Sequence, residues 1–142
     1  MCVHILVIDD APDLRALYAD AFEGEGYRVT LLEHVPADVG EIDAVQPDVI
    51  VVEYLFDGQP VGWSLVQALK QRPATQHLPI LLCTAAARTM QDHLPYLHAQ
   101  QIGLLLKPFA VDALLNGIQE LVGGTRNDGE TVFVQAAVRS VT

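Results

Sequence analysis

Along the chain, short runs of apolar residues alternate with longer stretches whose apolar positions recur every three or four residues. The first pattern is that of strands buried on both faces, and the second that of helices with one buried stripe. The runs predict strands over 3–8, 27–32, 49–52, 80–83 and 102–106. Between the first two, Leu14, Leu17, Tyr18, Ala21 and Phe22 fall at i, i+3, i+4, i+7 and i+8, one face of a helix that Gly24 and Gly26 help to end. A second helix over 37–45 is short and weakly patterned. Leu65, Val66 and Leu69 mark a third, after a loop holding Gly58, Pro60 and Gly62, and Val111, Leu114, Leu115, Ile118 and Leu121 mark the last. Between 85 and 101 the pattern is poorer. Pro95 has no amide hydrogen to donate and its ring clashes inside a helix, so the fourth helix is expected to be short, kinked or late-starting.

Strands that alternate with helices in this way form βα units around a parallel sheet. The expected fold is therefore α/β, a three-layer sandwich with a five-stranded parallel sheet, of flavodoxin-like type. A length of 142 residues is enough for one domain, assigned to residues 1–122, with 123–142 as a C-terminal tail or linker. The tail reads "TRNDGETVFVQAAVRSVT", a polar turn followed by a weakly alternating stretch. It is a linker end, an added edge strand or a swapped segment.

A hydrophobic content of 51% fits a sheet covered on both faces. The longest apolar runs are strand-sized and far short of a membrane span. Only two cysteines, Cys2 and Cys83, are present and no basic segment precedes an apolar one at the start, so a reducing cytoplasm is the expected setting. Eight Lys and Arg against 18 Asp and Glu give a formal charge of −10. Such a field repels nucleic acid and anionic lipid, and neither is an expected partner.

In a parallel α/β sheet, ligands sit outside the carboxyl ends of the strands, so the polar residues that directly follow apolar strands are the candidates. They are few. The first strand ends in Asp9 and Asp10, the third in Glu53, the fourth in Thr84 and the fifth in Lys107, followed by Pro108. Carboxylates converging in a poorly hydrated crevice raise one another's proton affinity unless a cation compensates. A hard, oxygen-loving ion such as Mg²⁺, held by Asp10 and Glu53, would do so, with Lys107 as an internal partner. Thr84 and Lys107 together are also suited to hold the oxygens of a phosphoryl group.

On these residues the chain resembles the receiver domain of bacterial two-component response regulators. "ILVIDDAPDLRALY" is similar to that family's first strand, acidic pair and first helix, "PDVIVVEYLF" to its third strand, "PILLCTA" to its fourth and "LLLKPF" to its fifth. The resemblance implies a CheY-like signalling module, not an enzyme, with a histidine kinase or a downstream signalling protein as partner and a homodimer as a candidate assembly. It implies an acidic pocket at Asp9 and Asp10, a switch hydroxyl at Thr84, a phosphate-contacting lysine at Lys107, and a cis peptide bond before Pro108. Two positions depart from the family. Glu53 stands where the family has its phosphoacceptor aspartate, and Leu104 stands where an aromatic switch residue is usual. The loop after Glu53 also lacks the usual Met-Pro step and is one residue longer before Gly62.

A glutamate carries its carboxylate about 1.5 Å further into the site than an aspartate. The expectation is that Glu53 fills the phosphoryl position, pairs with Lys107 and Thr84, and leaves a receiver uncoupled from ordinary phosphorylation. Two other readings stand beside it. A phosphorylatable receiver would use Asp57, Asp10 or Glu53 itself, although Asp57-Gly58 has the composition of a turn. A flavodoxin-like small-ligand module would share only the fold. Simpler roles are also open to single residues. Asp9 or Asp10 is suited to cap the first helix ahead of Pro12, and Cys83 to fill core space. Trp63 is either core or an exposed anchor. The histidines, His93 and His98 among them, lack metal-ligand spacing with the cysteines.

Overall fold

The computed structural model describes residues 2–123 and the backbone of 134–135. The elements run β1 (His4–Ile8), α1 (Pro12–Gly24), β2 (Arg28–Leu32), α2 (Gly40–Val45), β3 (Val49–Glu53), α3 (Val61–Gln71), β4 (Ile80–Thr84), α4 (Ala87–Gln100), β5 (Gly103–Leu106), α5 (Val111–Gly123) and β6 (Val134–Gln135). The sheet order is β2-β1-β3-β4-β5-β6, and every neighbouring pair is parallel. Five strands were expected in the domain itself, and a two-residue sixth strand adds to the edge, with Val134 opposite Leu104 and Gln135 opposite Leu105. The linker and swapped-segment readings of the tail fall on 124–133 and 136–142, outside the described residues.

Every residue of β1, β3 and β4 is buried, the reason these strands read as unbroken apolar runs. Alternate side chains feed two cores. Leu6, Ile8, Ile50, Val52, Ile80, Leu82 and Leu104 pack under α2, α3 and α4. Ile5, Val7, Val49, Val51, Leu81, Cys83 and Leu105 pack under α1 and α5, with Tyr18, Phe22, Leu114 and Ile118. Each fully buried Leu, Ile or Val contributes about 1.5–3 kcal/mol relative to an exposed one. Helix α1 starts with Pro12 in its first turn, which lacks only an amide hydrogen that would go unpaired there. It stops at a turn in which Gly26 takes φ +88°, a conformation that side chains with a Cβ seldom adopt.

Helix α4 corrects the expectation drawn from Pro95. It spans 14 residues from Ala87 and is neither short nor late-starting. Pro95 is exposed, as is Gln91 four residues earlier, whose carbonyl loses its helical partner, while Met90 and Leu97 anchor the helix from within.

Cys83 is fully buried, and burial pushes its thiol up to about 12, whereas Cys2 is exposed. Only the thiolate attacks a disulfide reagent. In an Ellman titration of native protein one thiol should react promptly and the second only after denaturant is added; two prompt thiols would contradict the placement of Cys83.

Candidate functional site

Because β1, β3, β4 and β5 run parallel, their carboxyl ends share one rim of the sheet. The chain leaves β1 toward β2 on one side, while β3 lies on the other, and the rim between β1 and β3 is where such sheets open a crevice. Asp9, Glu53, Thr84 and Lys107 stand on this rim. The amine Nζ of Lys107 lies 2.8 Å from Asp9 Oδ2 and 2.5 Å from Glu53 Oε1. The remaining carboxylate oxygens are also engaged: Asp9 Oδ1 accepts the Ala11 N–H at 3.0 Å, and Glu53 Oε2 accepts the Leu55 N–H at 2.9 Å. All three side chains are largely buried, with 2% of Asp9, 10% of Glu53 and 14% of Lys107 exposed. Burial works against the charged amine, but hydrogen bonds to Asp9 and Glu53 and their negative charges outweigh it and hold the Lys107 pKa above the usual lysine value.

The other candidates are distributed unevenly. Thr84 is buried and its hydroxyl accepts the Ala86 N–H at 3.2 Å. The Glu53 oxygen expected to meet Thr84 goes to the Leu55 N–H instead. Asp10 is exposed: successive residues leaving a strand point to opposite sides, so only Asp9 of the acidic pair turns inward. Neither aspartate caps α1 by its side chain, since the N-cap is Ala11 and Asp9 closes a turn one step earlier. The Lys107–Pro108 peptide bond is cis. Asp57 sits at an exposed turn tip with φ +54°, followed by Gly58 at +75°. Phe56 and Gln59 exchange both backbone hydrogen bonds across this pair, a two-residue turn of the kind that Asp-Gly favours.

Of the two residues expected to hold a divalent ion, Glu53 faces the pocket and Asp10 is exposed. Among the described residues no group of three His, Cys, Asp or Glu side chains is placed to hold a metal. The positive charge between the inward carboxylates is the Lys107 amine.

Two features carry no signal in the sequence pattern. Arg15 on α1 donates to the Asp9 carbonyl oxygen at 2.9 Å and fixes the β1–α1 turn. Tyr54, Trp63, His93 and Tyr96 form an aromatic cluster on the opposite face of the sheet. Trp63 is therefore largely core, and His93 is a bonded polar residue. No described helix is long and apolar enough to cross a membrane.

With this sheet and rim in view, the comparisons with known proteins agree. Over residues 5–119 the chain matches the response regulator receiver domain, and it belongs to that family, a module of two-component signalling. It is 27% identical over 123 residues to the phosphate regulon transcriptional regulatory protein PhoB of Rhizobium meliloti, a match covering 86% of this chain and 53% of PhoB. It is 29% identical over 119 residues to the transcriptional regulatory protein TcrA of Mycobacterium tuberculosis, covering 84% and 46%. The chain thus spans about half the length of these relatives. Among solved structures, the receiver domain of nitrogen regulatory protein C superposes with a TM-score of 0.74 at 22% identity, covering 88% of this chain and 98% of that one. The receiver domain of a Pseudomonas aeruginosa sensor histidine kinase, solved with a magnesium ion in its active site cleft, gives 0.68 at 23%, covering 87% and 100%. These two are likenesses of fold.

Proposed function

We propose that this receiver domain signals through protein contacts, with its β3 site filled by an internal ion pair, and is not phosphorylated at Glu53. One observation carries the reading: Glu53 Oε1 is bonded to Lys107 and Oε2 to the Leu55 N–H. A carboxylate that accepts a phosphoryl group must offer an oxygen to phosphorus, and here Oε1 is turned to the Lys107 amine and Oε2 back to the chain's own Leu55 N–H. The extra methylene of glutamate sets its negative charge further into the site, toward where a phosphoryl group would add one, so one state is held and regulation falls to partner binding. A histidine kinase or a downstream signalling protein in the cytoplasm is the partner class, and the domain itself performs no catalysis.

The test is intact mass after incubation with Mg²⁺ and acetyl phosphate, for the wild type and Glu53→Asp in parallel. The expected result is a phosphoryl group on the variant alone, since the shorter side chain frees the position in front of Lys107. A phosphoryl group on the wild type would overturn the proposal, and mapping would then locate it at Asp57, Asp10 or Glu53.

A further inference from the structure

Tyr54 directly follows Glu53, and their side chains leave the chain on opposite faces of the sheet. Glu53 shares a register position with Cys83, which belongs to the core under α1 and α5. Tyr54 packs into the core under α3 and α4. The bond from the Leu55 N–H to Glu53 Oε2 spans Tyr54, so the glutamate side chain fixes the backbone that carries the tyrosine ring.

On the far side, Tyr54 Oη lies 3.2 Å from Nε2 of His93 on α4. The His93 ring stacks on Trp63 of α3, with centroids 4.3 Å apart and planes 28° from parallel. Trp63 in turn meets Tyr96 of α4 edge-on at 5.4 Å. Elsewhere α4 is loosely seated. Only Met90 and Leu97 are buried along it, and a groove of about 150 Å³ lined by Ala87, Met90, Gln91, Leu94, Leu104 and Leu106 runs between it and β5. The Tyr54–His93 bond is a polar tie between the site's own segment and α4.

We propose that Tyr54 and His93 are positioning residues that carry the state of the Glu53–Lys107 pocket across the sheet to α4, with Trp63 as the shared stacking surface. The inference rests on the proposed function above, because it supplies a route by which a fixed charge at Glu53 holds α4 in one position.

The test is a double-mutant cycle read by hydrogen exchange of α4, normalised to α5 on the opposite face, in the full chain without any phosphoryl donor. Glu53→Gln keeps the size of the side chain but leaves one acceptor oxygen for two donors. Alone it should speed α4 exchange about five- to thirtyfold, the factor that one or two kcal/mol gives. In a Tyr54→Phe or His93→Gln background the same change should alter α4 by less than about twofold. Acceleration of equal size in those backgrounds, or no acceleration in the wild-type background, overturns the proposal. Trp63, the single tryptophan, gives a second readout: its emission should respond to Glu53→Gln only when Tyr54 is present. Failure of the proposed function would show separately, as a wild type that accepts phosphate from acetyl phosphate, because the exchange ratios are measured with no donor present.

Discussion

Lys107→Met should lower stability in urea unfolding at pH 7 by about 3–5 kcal/mol, the usual loss when one partner of a buried ion pair is removed. Methionine matches the lysine stem in length and apolar character, so packing is largely retained and the loss reports on charge. What remains is Asp9 at 1% and Glu53 at 8% residue exposure, two carboxylates facing the place where Nζ had been. Adding Glu53→Gln to Lys107→Met should recover part of the loss, because one uncompensated charge is gone. If the single variant unfolds at the wild-type midpoint, the amine does not hold this pocket together.

The same pair sets a pH window. The folded Lys107 pKa lies above its ordinary value of 10.5, raised by the two carboxylates against the effect of burial. A raised pKa contributes stability that is fully present below 10.5 and is lost as pH climbs through the folded value. The gap between wild type and Lys107→Met should therefore hold across neutral pH and close in strongly alkaline solution. Taking the difference between the two chains cancels the titrating groups remote from Lys107.

The strands were legible because a parallel sheet covered on both faces leaves no polar alternation, only continuous apolar runs. Their ends shifted by a residue for local reasons. Glu53 and Thr84 extend β3 and β4 because the ladder continues past the last apolar side chain, pairing Glu53 with Cys83 and Thr84 with Leu106. Asp9, Glu53 and Lys107 could be placed on one rim because each directly follows an apolar run and the parallel order aligns those ends. The inward and outward partition of Asp9 and Asp10 could not, since composition is the same and only strand geometry separates them. The Tyr54–His93 contact joins residues 39 apart, and no periodicity links a strand end to the middle of a helix three elements later. Pro95 misled for a related reason: its cost depends on whether the carbonyl it orphans meets water, a property of the packed helix.

Gly62→Ala should be the most damaging of the conservative substitutions. Gly62 opens α3, and a Cβ there would fall on the carbonyl oxygen of Glu53 and crowd the Phe56 ring at 3.1 Å. Helix propensity alone favours alanine by up to about 1 kcal/mol. The clash opposes it, and because the atom in the way is backbone rather than the end of a flexible side chain, either α3 or the end of β3 must move. Overpacking of this kind costs about 1–3 kcal/mol and occasionally more; with backbone in the way the cost lies at the upper end, which less the helix-propensity gain leaves a net loss of about 2 kcal/mol. Gly24→Ala, at the end of α1 with open space around it, is the control and should change stability by less than about 1 kcal/mol. The displacement would carry Trp63, the next residue, away from His93, so urea unfolding and Trp63 emission should change together. A Gly62→Ala chain as stable as Gly24→Ala, with unshifted emission, would mean that α3 does not rest on the Glu53 carbonyl and that the pocket and the aromatic cluster are not joined through it.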